Sequence, residues 1–297
     1  TAITAGILFG LKYLEGGPSM SLQREYLLLI FIALAVYVAM RDDLTPKHRL
    51  AIGFLFGLSA IIKPHASIGL LSILLFDITD MVKRLKLTLL DASRQSILPT
   101  LAGFSIPIFI VTVWLAITGA LTPFFNIAVN YWPLYSQIDG QMAINAGAGR
   151  IPFLLNQFLR LGGNGLWLIP ALIGIYLNQN KKVYLLASLA LCYAIYPALS
   201  GQFFPYHYLP FVYFIILLAS LTLDSVSSPA LWALTASRFA FIALILVVLI
   251  NVRPSTAFIR QLEGKPIFIA ASRADEISRF LEKKLEDGDT VQPLDWT

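Results

Sequence analysis

Residues 96–125 read SILPTLAGFSIPIFIVTVWLAITGALTPFF and lie within a longer run, 95–138, that contains no Asp, Glu, Lys or Arg. A helix needs about 20 predominantly apolar residues to cross the hydrocarbon core of a bilayer, and this run supplies them with residues to spare. A second charge-free run covers 183–223. It has room for two crossings, with Gly201-Gln202-Phe203-Phe204-Pro205 between them. The whole chain follows the same pattern: 57% hydrophobic, 13% charged, mean hydropathy +0.73. A soluble domain carries about a quarter charged residues, and burying this much apolar surface in water would need more interior than 297 residues provide. The sequence therefore reads as an all-α polytopic membrane protein.

Working outward from the two runs gives nine apolar segments, at 1–14, 25–40, 50–62, 66–80, 96–118, 166–178, 183–199, 208–224 and 238–250. Several are shorter than a perpendicular span needs, and irregular backbone at membrane depth is tolerated where protein or a water-filled cavity surrounds it. Alternate loops differ in basic residues. One set carries Arg41, Lys47, Arg49, Lys83, Arg84, Lys86, Arg94, Lys181, Lys182 and Arg238; the other carries only Arg24, Lys63, Arg150 and Arg160. The positive-inside rule makes the first set cytoplasmic. The reading places the chain in the plasma (cell inner) membrane, with Arg24-Glu25, Lys63-Pro64-His65, the 119–165 loop and 201–207 on the outer face. In the long outer loop, Tyr131, Trp132, Tyr135, Asp139, Arg150 and Arg160 suit a segment lying along the membrane surface. Asp42-Asp43, in the basic loops, reads as solvated carboxylates paired with Arg41 or Lys47.

The division into domains is 1–250, the transmembrane part, and 251–297. In the second part, residues 272–287 have a helical pattern with Ile277, Phe280, Leu281 and Leu285 on one face, and Ser272 with Asp275 resembles an N-cap. A turn at Asp287-Gly288-Asp289 leads into Thr290-Val291-Gln292-Pro293-Leu294, which reads as a strand. This is the expected start of a small extracytoplasmic α/β domain. The first apolar run opens without Met or a basic flank, so the sequence is expected to be a piece of a longer protein.

Three polar constellations interrupt the apolar sequence, and ionisable groups at membrane depth are functional hypotheses by default. They are Ser21-Leu22-Gln23-Arg24-Glu25-Tyr26, Ile62-Lys63-Pro64-His65, and Phe203-Phe204-Pro205-Tyr206-His207-Tyr208. Lys63 leads: uncharged residues flank it on both sides, and Pro64 breaks the helix there, freeing carbonyls that need partners. An ammonium at a broken helix suits a phosphate; a lysine snorkelling at a helix end is the plainer reading. Glu25 at a helix start is favoured by the dipole, with Arg24 as its neighbouring counter-charge. His207, between Tyr206 and Tyr208, has aromatic-belt surroundings, and His65 follows the proline.

Metal chemistry has little support, with no His-x-x-x-His, no cysteine pair and no outer Asp-x-Asp; a divalent metal is not called for by these residues. Cys192 is the single cysteine, so no intramolecular disulfide forms. A net charge of +5, spread singly between apolar runs, gives no footprint for nucleic acid.

The strings Ser-Leu-Gln-Arg-Glu-Tyr-Leu-Leu-Leu (21–29), Gly-Leu-Ser-Ala-Ile-Ile-Lys-Pro-His-Ala (57–66) and Gly-Gln-Phe-Phe-Pro-Tyr-His-Tyr-Leu-Pro (201–210), in that order, resemble the GT-C superfamily of membrane glycosyltransferases. The similarity is to the bacterial relatives of protein O-mannosyltransferases and of the lipid A aminoarabinose transferase, over about residues 20–297. The resemblance implies a multi-spanning fold with a cavity at the outer leaflet, where a sugar passes from a polyprenyl-phosphate carrier to a lipid, protein or glycan acceptor. It also implies a catalytic carboxylate in the first outer loop, expected upstream of this sequence. Of the residues present, Glu25 is the candidate carboxylate. Lys63, His65, Arg24, His207, Tyr206 and Arg150 (or Arg160) are candidates for phosphate or substrate binding. A transporter or flippase of a lipid-linked sugar is the rival expectation, since transporters also use broken helices around a polar site.

Overall fold

The computed structural model describes residues 2–16, 23–131, 149–222, 235–251, 259, 262–264 and 279–284. Among them there is no strand, and the elements run as α1 (Ala2–Gly16), α2 (Arg24–Ala39), α3 (Pro46–Ile62), a 3-10 turn (Pro64–Ser67), α4 (Ile68–Arg84), α5 (Leu89–Ile117) and α6 (Leu121–Asn126). After a wide turn at Ile127–Tyr131 come α7 (Arg150–Arg160), two 3-10 turns (Leu161–Gly163, Gly165–Trp167), α8 (Leu168–Leu177), α9 (Lys181–Ser200), a 3-10 turn (Pro205–Tyr208), α10 (Leu209–Ser220) and α11 (Thr235–Asn251).

Each of the nine apolar segments falls on a helix, but not all are full spans. Among the described residues, three helical stretches are long and apolar enough to cross a membrane: Pro64–Arg84, Leu89–Ile117 and Lys181–Ser200. A fourth qualifies if the pair Arg150–Gly163 and Gly165–Leu177, bent by 73°, is one span. The count of nine crossings is thus not reached on length and composition. The 17 residues of α3 cover only about 26 Å at 1.5 Å per residue, less than the ~30 Å core. Helix breaks at Lys63–Pro64 and Gly201–Pro205 shorten the neighbouring elements. Of the expected tail helix, only 279–284 are described, helical over 279–282. Ser272, Asp275, Ile277, Leu285 and the strand at 290–294 lie outside the described residues, as do Ser21, Leu22, Trp132, Tyr135 and Asp139.

The tightest crossing joins α3 and α5. A Cβ added at Gly53 would meet the Thr100 carbonyl oxygen at 1.9 Å, and one at Gly103 would meet the Leu50 carbonyl oxygen at 2.0 Å. Gly57 likewise lies against the Phe104 backbone and Pro107. Gly53 and Gly57 form a Gly-x-x-x-Gly pair, which lets helix backbones approach where lipid removes the hydrophobic drive for association. The outer surface of α5 is apolar and exposed at Leu98, Phe109, Ile110, Trp114 and Ile117, a surface suited to lipid. Its exposed Ser105 and Thr112 hydroxyls donate to the carbonyls four residues back, at 2.9 and 2.8 Å, so neither is left unpaired.

Helices α1, α2, α4 and α8 pack against α9 and α10, and α11 packs on α8. The core contains Leu28, Ile32 and Val36 of α2, Phe56 of α3, Ile73 of α4, Leu189, Tyr193 and Tyr196 of α9, and Phe211, Phe214 and Ile215 of α10. Tyr193 stacks on Phe214 with ring centroids 5.6 Å apart. Gly174 of α8 meets the Leu218 carbonyl of α10.

Charged side chains tie three of the basic loops together at one end of the bundle. Lys182 reaches Asp42 at 3.4 Å, Lys181 reaches Asp80 at 3.1 Å, and Arg84 reaches both Asp43 (2.9 Å) and Asp80 (3.1 Å). Asp42 and Asp43 are therefore paired with lysines of α9 and an arginine of α4, not with Arg41 or Lys47. Lys182, hydrogen-bonded to Asp42, holds that carboxyl below its ordinary range. Arg49, expected in a loop, is instead buried in α3 and grips Asp77 through Nε (2.7 Å) and Nη2 (3.0 Å). These three loops, which share a basic character, thus share one end of the bundle.

Candidate functional site

At the other end the three polar constellations converge on a buried carboxylate. Glu25 lies in the first turn of α2 with no exposed surface. Its Oε1 accepts a hydrogen bond from Lys63 Nζ and faces His207 Nε2 at 3.6 Å. Its Oε2 is buried and has no hydrogen-bond partner. Lys63 Nζ also stands 5.5 Å from the centroid of the Tyr206 ring, a cation–π placement.

Two helix breaks bring these groups together. Pro64 lacks an N–H and forces its predecessor out of the helical region, so Lys63 is extended (φ −147°, ψ 113°). The Ala66 carbonyl beyond the break accepts a hydrogen bond from Tyr193 Oη at 2.9 Å. The second break opens at Gly201, whose φ of +70° ends α9 in the left-handed region that glycine adopts at low cost. The chain then turns through Pro205–Tyr208 and buries His207. His207 Nδ1 is 2.8 Å from the Gln202 carbonyl; it donates there, so Nε2 is the nitrogen that faces Glu25.

Aromatic rings wall the cluster. Tyr206, Phe204 and Tyr196 lie edge-on to His207 at 4.6, 5.9 and 6.1 Å between centroids, and His65 meets Tyr196 at 6.3 Å. The buried atoms His65 Nδ1, Ser67 Oγ and Tyr196 Oη have no hydrogen-bond partner. Buried polar atoms without partners are rare and mark sites where a ligand or water completes the bonding.

The structure therefore unites Glu25, Lys63, His65, Tyr206 and His207. Arg24, the first residue of α2, is exposed, and the counter-charge of Glu25 is Lys63, not Arg24. Arg150 and Arg160 are exposed at the two ends of α7 and are not among the partners of Glu25. They belong to the same end of the bundle, because Phe153 packs against Phe203 (5.3 Å) and Gly162 against Tyr208. The exposed Ile151, Leu155, Phe158 and Leu159 of α7 form an apolar stripe of the kind that lies in a membrane surface.

Tyr196 and Ser67 were not singled out from the sequence. Each is one polar atom in an apolar stretch, and only the fold shows that both are buried without partners. Among the described residues no group of three His, Cys, Asp or Glu could hold a metal ion. No protein-family model matches the chain, and no curated protein or solved structure is significantly similar to it.

Proposed function

We propose that this protein is a membrane glycosyltransferase of the GT-C kind, moving a sugar from a polyprenyl-phosphate carrier to a lipid, protein or glycan acceptor. The observation that carries the reading is the buried Glu25–Lys63–His207 cluster with one carboxylate oxygen unpaired. On this reading the nine apolar segments cross the plasma membrane, the shorter ones with the help of irregular backbone at the helix breaks, and the cluster faces the outer leaflet.

The chemistry follows from the atoms present. The acceptor hydroxyl attacks the anomeric carbon, and its proton passes to Glu25 Oε2 as general base. The bond between the anomeric carbon and the phosphate oxygen breaks, and polyprenyl phosphate departs with the bonding electrons. Protonation of Glu25 removes the charge that holds Lys63. The ammonium is then released towards the leaving phosphate as negative charge develops there, the moment at which a positioned cation lowers the barrier most. His207, whose Nδ1–H is held by Gln202, keeps an Nε2 lone pair beside Glu25 that favours the carboxyl group once it has taken the proton, and Tyr206 and Tyr196 present ring faces and hydroxyls to a sugar.

A flippase for the same lipid-linked sugar is the second reading, favoured by two broken helices meeting at one polar site. Labelled polyprenyl-phosphate sugars supplied to the full-length protein in vesicles separate the two. Transfer by wild type that falls about 100-fold or more in Lys63→Ala, the contribution of one electrostatic donor, supports the enzyme. Movement of intact donor across the bilayer without transfer supports the flippase.

A further inference from the structure

A groove of about 570 Å³ lies between α4 and α9, at the end of the bundle remote from Glu25. Its walls are Leu71, Leu75 and Phe76 on one side and Tyr184, Leu185 and Leu191 on the other. Leu71, Leu75, Tyr184 and Leu191 are more than half exposed, so the groove opens sideways and not into the core. Both walls belong to helical stretches long enough to cross a membrane.

The groove has a polar end and an apolar end. Thr79, Asp80, Lys83 and Lys181 close the first; Leu71, Leu191 and Cys192 form the second. Lys83 is 12 residues beyond Leu71, so at 1.5 Å per residue the groove runs about 18 Å along α4. One leaflet of the hydrocarbon core is about 15 Å deep. The cations thus stand at headgroup level when the apolar end stands near the bilayer midplane.

Charge at the mouth selects the occupant. Both oxygens of Asp80 are engaged, one by Lys181 and one by Arg84, each at 3.1 Å. Lys83 is exposed and, among the described residues, has no carboxylate partner. The lining therefore has an excess of one positive charge, counting Lys83 and Lys181 against Asp80.

We propose that this groove holds a glycerophospholipid with an anionic headgroup. One acyl chain lies along Leu71, Leu75 and Leu191, and the phosphate meets Lys83 and Lys181. Lipid tails are as apolar as the groove wall, so the chain adds packing and little transfer energy. Selectivity resides in the headgroup, where each lysine near the surface contributes about fivefold in affinity. The site is independent of the reading of Glu25 and Lys63.

Native mass spectrometry of the full-length protein, titrated with phosphatidylglycerol or phosphatidylcholine, tests it. Wild type is expected to retain phosphatidylglycerol in preference to phosphatidylcholine. Retention should fall about fivefold in Lys83→Gln and about 25-fold in Lys83→Gln/Lys181→Gln. Leu75→Trp, which fills the groove and leaves the charges in place, should abolish retention, while Lys47→Gln, on the same face outside the groove, should not change it. Lys83 makes no ion pair among the described residues, so its replacement is expected to leave the melting temperature unchanged. Equal retention of the two lipids overturns the proposal, as does unchanged phosphatidylglycerol binding in the double variant. Preferential retention of a polyprenyl phosphate overturns the assigned occupant.

Discussion

Lys63→Met would leave the fully buried Glu25 carboxylate beside only an imidazole nitrogen 3.6 Å away. Removing one partner of a buried ion pair costs about 3–5 kcal/mol, because the remaining charge has neither water nor a counter-ion. Glu25→Gln strands Lys63 instead. That side chain keeps 11% of its surface exposed and lies over the Tyr206 ring, and such a ring returns about 0.5–2 kcal/mol to a partly desolvated cation. The expected cost of Glu25→Gln is accordingly smaller, about 2–3 kcal/mol. The double variant Glu25→Gln/Lys63→Met carries no buried charge and should stand within about 1 kcal/mol of wild type, as uncharged replacements of buried pairs do. Equilibrium unfolding in mixed micelles, titrated with SDS, measures all three. If the two single costs simply add in the double variant, within about 0.5 kcal/mol, the groups are not coupled and the buried pair as described does not exist.

Three further outcomes are expected. Gly53→Ala places a methyl 1.9 Å from the Thr100 carbonyl oxygen, so α3 and α5 must separate; the same titration should show a loss of about 1–3 kcal/mol or more, while Gly10→Ala, with open space around it, should show none. In a Cys192→Ser background, Asp42→Cys and Arg150→Cys should react with an impermeant maleimide from opposite sides of sealed vesicles, and labelling of both from one side would contradict the two-ended bundle. Lys182 depresses the Asp42 carboxyl, so their tie is complete above the ordinary Asp value of 3.8 and is lost only as pH falls through the lowered folded value; distances between spin labels at the exposed positions 41 and 184, which leave both partners in place, should be constant from neutral pH down to 3.8 and lengthen below it.

The apolar runs made the helices legible, and loop composition made the two ends legible, because charge density and hydropathy are local properties. The break at Lys63-Pro64 was readable for the same reason: proline acts on its own neighbours. Partnerships were not. Glu25 is adjacent to Arg24 in sequence, yet its ion pair is with Lys63, because successive helix residues point in different directions and Arg24 faces outward. Asp42 and Asp43 found Lys181, Lys182 and Arg84 across helices whose packing no local pattern encodes. The close approach of Gly53 and Gly57 to α5, and of Gly103 to α3, showed only in the crossing itself. Tyr196 gave no signal, since a lone tyrosine in an apolar helix matters only when the groups around it are known.

The most direct test of the central claim separates a structural role of the buried pair from a chemical one. In Glu25→Gln/Lys63→Met the charges leave together, so the fold is retained while the base and the phosphate-facing cation are both gone. The account predicts a variant as stable as wild type in micelles whose transfer from labelled polyprenyl-phosphate sugars in vesicles is lost by about 100-fold or more. A stable double variant that transfers sugar at the wild-type rate would contradict it and reduce Glu25 and Lys63 to a structural tie between two helices.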